Sequence, residues 1–169
     1  MAPNEKLIST VKEHVKKRHE GDDQEFLYGA ERVDLRRVKH LRLEARKKEF
    51  TFTIDEPAER GGTDKGPNPL AYFIAGAASC LINQFLTDAI YRGVDLQDVE
   101  MIARGHFNRK LGGSFSDIVY DLRLKSSSPK EEILSLAKEA EKMCYAHQTL
   151  KKAGVKMTTN IILNGKPVT

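Results

Sequence analysis

The stretch Asn68-Pro69-Leu70-Ala71-Tyr72-Phe73-Ile74-Ala75-Gly76-Ala77-Ala78-Ser79-Cys80-Leu81-Ile82-Asn83-Gln84-Phe85-Leu86-Thr87 decides how this chain folds. Asn is a strong helix N-cap, and Pro suits the first helical position because its missing N–H would have had no partner there. No charge follows until Asp88, and the only clearly polar residues are Ser79, Asn83, Gln84 and Thr87. The reading is a helix from Pro69 to about Arg92, stopped at Gly93 and buried on most sides. Its length approaches that of a bilayer span. Asn83-Gln84 and the many small residues argue for a central core helix instead, and the rest of the chain has no second apolar segment to accompany it.

The flanking regions alternate. Phe26-Leu27-Tyr28 opens a β-rich region in which Val33 and Leu35, Leu41 and Leu43, then Phe50, Phe52 and Ile54 recur among charged or polar residues. Period two with one polar face predicts an antiparallel sheet covered on one side. The run from Asp55 to Pro67, with Gly61, Gly62, Gly66 and two prolines, predicts a loop. Val99–Phe107 and Ile118–Leu124 predict a hairpin turning at Gly112-Gly113-Ser114. Ser128-Pro129-Lys130-Glu131 reads as a capping box opening a helix through about Met143. A short helix after Cys144 ends at Gly154, and Val155–Leu163 is the final strand. Near the N-terminus, Leu7, Ile8, Val11 and Val15 predict an amphipathic helix over residues 5–18 that ends near Gly21. Strands come in blocks, so the fold class is α+β. The expected organisation is an N-terminal helical extension over 1–24 and one domain over 25–169.

Composition sets limits on function. The 169 residues are 40% hydrophobic and 31% charged, with a net charge of +4, and can bury an ordinary core. Charges of both signs are interspersed. Lys16-Lys17-Arg18, Arg36-Arg37 and Arg46-Lys47-Lys48 read as solvated faces, which argues against nucleic-acid contact. The opening residues lack the pattern of a secretory signal, and two widely spaced cysteines suit a cytoplasmic protein with free or redox-active thiols.

Those two cysteines are the candidate chemical centre. Cys80 lies about three turns into the apolar helix, with Gly76 and Ala77 leaving room above its sulfur. The competing reading is a small core hydrophobe. Cys144 stands between two helices, near the start of the second, where backbone N–H groups favour an anion. Zinc is not expected, because Cys80, Cys144 and His147 fall short of four ligands. His14, His19, His40 and His106 are scattered and read as structural or solvated, and no cofactor motif is present.

Asp55-Glu56-Pro57, Gly61-Gly62 and Gly66-Pro67-Asn68-Pro69, followed by Ala77-Ala78-Ser79-Cys80-Leu81, resemble the OsmC/Ohr family of osmotically inducible and organic hydroperoxide resistance proteins. Cys144-Tyr145-Ala146-His147-Gln148-Thr149-Leu150 resembles that family's second cysteine segment. The resemblance spans roughly 30–165. It implies an intertwined homodimer in which antiparallel sheets wrap around long central helices. It also implies a thiol-dependent peroxidase: Cys80 as the peroxidatic thiolate, Cys144 as the resolving thiol, a Cys80–Cys144 disulfide, and an external dithiol as reductant. Two departures stand out. Leu70 and Ala71 follow Asn68-Pro69 where the hydroperoxide reductases carry a Glu that holds an Arg beside the sulfur. Tyr145 replaces the usual Pro. Asp55, Glu56, Glu59 and Asp64 are candidate replacement acids, and Arg36, Arg37, Arg42 and Arg46 are candidate cations. The alternative reading is a weakly active or non-catalytic member that binds a small apolar ligand or senses oxidation. A hydrolase using Cys80 with His147 as base is a third.

Overall fold

The computed structural model describes residues 4–20 and 29–168. The expected helix end at Gly21 and the strand start at Phe26-Leu27-Tyr28 lie outside the described residues. Those described form four α-helices and seven strands. They group into two compact units. One takes α1 together with Gly76 onward; the other ends at Ala75.

The unit ending at Ala75 is built on an antiparallel meander, β1 (Asp34–Lys39), β2 (Arg42–Lys47) and β3 (Phe50–Ile54), in the order β1-β2-β3. Lys39 pairs with Arg42 and Lys47 with Phe50, so each link is two residues long. His40 and Lys48 open these turns with φ of 50° and 53°. The expected one-sided cover is only partly present. Ala45 is fully buried, but β1 is exposed throughout. Leu35 and Phe50 are 59% and 65% exposed.

The following loop is packed on itself. A Cβ on Gly62 would lie 1.7 Å from the Glu56 carbonyl oxygen, and one on Gly66 would lie 2.6 Å from that of Thr53. Only glycine permits these approaches.

Helix α2 spans Pro69–Arg92. The Ala71 N–H donates to Asn68 Oδ1, so the predicted cap is formed. Gly93, at φ 74°, ends the helix, and the Val94 N–H returns to the Ala89 carbonyl. Its burial corrects the expectation of a helix covered on most sides. Ala77, Leu81, Phe85, Asp88 and Ala89 form one buried stripe, while Leu70, Phe73 and Tyr91 are exposed. By length and composition the helix is apolar enough to cross a membrane.

In the unit that begins at Gly76, β4 (Asp98–Phe107) and β5 (Phe115–Lys125) form the predicted hairpin. Helices α3 (Lys130–Met143) and α4 (Tyr145–Lys152) lead to β6 (Lys156–Leu163), and β7 (Lys166–Val168) adds a last strand. The order is β4-β5-β6-β7. The β5–β6 pair is parallel, which corrects the expectation of wholly antiparallel sheets. The two-helix crossover from β5 returns the chain to the edge at which β5 began, and that forces a parallel strand. The Ser128 cap also differs. Its hydroxyl accepts from the Asp95 N–H, and the helix opens with no side-chain cap, Glu132 and Ile133 donating to the Pro129 carbonyl.

β5 buries Ile118, Tyr120, Leu122 and Leu124 on one face. Ile133, Leu136, Ala137 and Ala140 of α3 complete the core. α1 (Glu5–Glu20) is capped by Asn4, whose side chain accepts from the Leu7 N–H. Of its predicted apolar stripe only Val15 is fully buried; Leu7 remains 45% exposed.

Candidate active site

The fold brings the two predicted cysteines together. Cys80 is half-buried on α2; Cys144 is 1% exposed in the extended link between α3 and α4. Cys144 donates its S–H to Cys80 Sγ across 3.3 Å. A disulfide needs about 2.05 Å, so closure requires only a small approach of the two sulfurs.

Local structure explains why Cys144 sits where it does. Its backbone N–H closes α3 on the Ala140 carbonyl, and its extended backbone then opens α4. In that place its sulfur accepts the otherwise unpaired N–H of His147 at 3.4 Å. Burial pushes the Cys144 thiol up to about 11. The His147 N–H works in the opposite sense, and the Cys80 sulfur adds to the rise. Cys144 is therefore a thiol at neutral pH, a donor rather than a thiolate.

Two buried polar side chains bear on the site: Tyr120, which was not predicted as part of it, and His147, weighed from the sequence as a base for Cys80. Tyr120 is fully buried, and its hydroxyl has no hydrogen-bond partner. Burial, then the charges of Cys144 and Cys80, push its phenol up to about 12. His147 is also buried, and its Nδ1 has no partner. Burial lowers its pKa, so the ring is neutral. Its backbone N–H reaches Cys144, and among the described residues no hydrogen bond joins its Nδ1 to either sulfur. Alternation on β5 marks Tyr120 as an inward-facing residue, but nothing in the sequence marks its hydroxyl as unpaired.

A buried ion pair corrects the reading of Lys16-Lys17-Arg18 as a solvated face. The Arg18 side chain is 13% exposed; it donates to Asp88 Oδ1 at 2.9 Å and Gln84 Oε1 at 3.0 Å. Gln84 in turn donates to Asp88 Oδ2. Gln84 and Asp88 stand one and two turns beyond Cys80 on the same helical face. Two signals pointed there: Arg18 follows Val15 by three residues, and Asp88 is the first charge in an apolar helix.

The other candidates lie in the unit ending at Ala75. Arg36 pairs with Glu44, and Arg46 donates to the Lys48 carbonyl. Asp55 is 1% exposed and accepts from the N–H groups of Glu56, Thr63 and Lys65 and from the Thr63 hydroxyl. Burial opposes its ionisation, but these donors, led by the Thr63 hydroxyl, hold its carboxyl down at about 2. Asp55 is thus engaged in shaping the loop. Glu56 faces Arg60 at 3.8 Å.

Residues 62–160, more than half of the chain, match the family described as OsmC-like protein. No curated protein matches. Among solved structures, an OsmC-like protein from Mycoplasma pneumoniae is similar at 24% identity and a TM-score of 0.68, covering 80% of this chain and 99% of its own. An organic hydroperoxide resistance protein OsmC from Legionella pneumophila aligns at 18% identity and a TM-score of 0.60, covering 78% and 98%. The organic hydroperoxide resistance protein OhrB of Bacillus subtilis aligns at 22% and 0.56, covering 80% and 98%. The match of sequence and the agreement of fold lead to one conclusion: the chain belongs to the OsmC-like family.

Proposed function

We propose that this protein is a thiol-dependent peroxidase that reduces organic hydroperoxides. The observation that carries the reading is the 3.3 Å approach of Cys144 to Cys80. The Cys80 thiolate attacks one oxygen of the O–O bond. That oxygen stays as a sulfenic acid, and the other leaves as an alkoxide that takes a proton from solvent to become the alcohol. The Cys144 thiol then attacks the sulfenic sulfur. An S–S bond forms, and the S–OH oxygen leaves with the Cys144 proton as water. An external dithiol reduces the disulfide, becoming a disulfide itself. The small and apolar helical neighbours Gly76, Ala77 and Leu81 favour an organic peroxide over hydrogen peroxide. A dithiol reductant and free thiols suit the cytoplasm, and cell fractionation should find the protein there.

Intact mass before and after one equivalent of cumene hydroperoxide tests the cycle. The reduced chain should lose two hydrogens, Cys144→Ser should stop at a Cys80 sulfenic acid, and Cys80→Ser should not react. Two free thiols after prolonged exposure would reject it. In that case the second reading, a protein that holds a small apolar ligand, gains. A cavity of about 720 Å³ lined by Leu7, Ile8, Leu86, Ile90 and Val94 offers room for one.

The working form is a homodimer. Leu35 and Phe50, at 59% and 65% exposed, are large apolar side chains open to solvent in one chain, and a second copy is the proposed cover. Sedimentation velocity should give twice the 19.0 kDa chain mass; a monomer at micromolar concentration would exclude this assembly.

A further inference from the structure

Tyr120 occupies the middle of β5, fully buried, in the row of inward-facing residues that includes Leu122. Leu122 lines one small cavity with Leu81, the neighbour of Cys80, and with Ala140, whose carbonyl holds the Cys144 N–H. Tyr120 therefore stands one inward position along the strand from the place where both cysteine-bearing elements meet the sheet. Thr159, its register partner on β6, lines that same cavity, and the Tyr120 hydroxyl is buried without a hydrogen bond to either sulfur. The Thr159 hydroxyl is also buried and unpaired, so the two do not satisfy each other. A phenol with no partner in a dry core is a burden that phenylalanine would not carry. The group has a use if an oxygen arrives beside the sulfur.

We infer that Tyr120 is a catalytic residue whose hydroxyl donates a hydrogen bond to the oxygen that Cys80 takes from a hydroperoxide. The inference rests on the peroxidase reading above. In the first step, negative charge moves from the Cys80 sulfur onto the peroxide oxygens as the O–O bond breaks, and a fixed donor aimed at that charge lowers the barrier. Tyr120 keeps its proton throughout; the alkoxide is protonated from solvent. In the second step the same donor steadies the sulfenic oxygen as it departs with the Cys144 proton as water. Because no oxygen is present before reaction, the hydroxyl is unpaired in the reduced state and paired in the transition state, which is the condition for raising the rate rather than tightening ground-state binding.

Tyr120→Phe in a Cys144→Ser background isolates the effect, since Cys80 is then the sole thiol. Two rates are read on the reduced protein: sulfenic acid formation with cumene hydroperoxide and alkylation by iodoacetamide, which delivers no oxygen to the sulfur. The expected result is hydroperoxide reaction slowed at least about tenfold, alkylation within about twofold, and a Tm equal to or above that of the parent. Equal hydroperoxide rates in the two proteins would overturn the role of Tyr120 and leave the peroxidase reading standing. Equal slowing of both reactions would make Tyr120 a packing residue. A parent that does not oxidise would remove the peroxidase reading and this inference with it.

Discussion

Each compact unit holds a buried aspartate, and the two are satisfied in opposite ways. Asp55 takes every partner from its own loop: the N–H groups of Glu56, Thr63 and Lys65 and the Thr63 hydroxyl, with no cation among these donors. Asp88 takes its partners from Arg18, 70 positions away, and from Gln84. The first carboxylate shapes a local turn; the second ties α1 to α2. The loop around Asp55 needs only its own residues to form, whereas the Asp88 tie needs the tertiary fold to be in place.

The largest effect follows from that difference. Asp88→Ala leaves the Arg18 guanidinium buried without its anion, while Arg18 Nε already lacks a partner. Loss of one member of a buried pair should cost about 3–5 kcal/mol, read by urea denaturation. Replacing both residues by leucine should recover most of it, since packed apolar groups carry no charge to desolvate. A single variant within about 0.5 kcal/mol of the parent would mean that apolar contact rather than the ion pair holds α1 and that the contrast with Asp55 is empty.

The same contrast explains what was legible in the sequence. Features fixed by neighbouring residues were readable: the Asn68-Pro69 cap, the stop at Gly93, the β4–β5 hairpin and the glycine loop. The family's motifs also paired Cys80 with Cys144 across 64 positions, which composition and periodicity never do. Features set at a distance were missed. Arg18 was read with its charged neighbours because its partner lies 70 residues away. Helix α2 was expected to be buried on most sides because charge patterning reports what a helix tolerates, not where its cover comes from. The parallel β5–β6 pair follows from the crossover path, which alternation does not encode. Tyr120 fits its row on β5, and only three-dimensional packing shows that its hydroxyl has no partner.

Smaller effects come from titration, and they separate the two units by pH. Asp55 is held at about 2 against an ordinary 3.8. Its depressed value means that the folded state favours the ionised form. The stability it adds is present above about 3.8 and is lost as pH falls through about 2. In the other unit the signs reverse. Cys144 is raised from 9.0 to about 11 and Tyr120 from 10.0 to about 12. Both folded groups favour the protonated form, so their share is complete below about 9 and 10 and is lost as pH rises through about 11 and 12. Melting curves across this range should show an acid limb and an alkaline limb, each worth a few degrees of Tm. Asp55→Asn should flatten the acid limb and leave the alkaline one. Cys144→Ser combined with Tyr120→Phe should do the reverse, even at the same net charge near neutrality. If either variant flattened both limbs, the limbs would reflect general charge repulsion across the molecule. The buried carboxylate of one unit and the buried thiol and phenol of the other would then have no separate part in them.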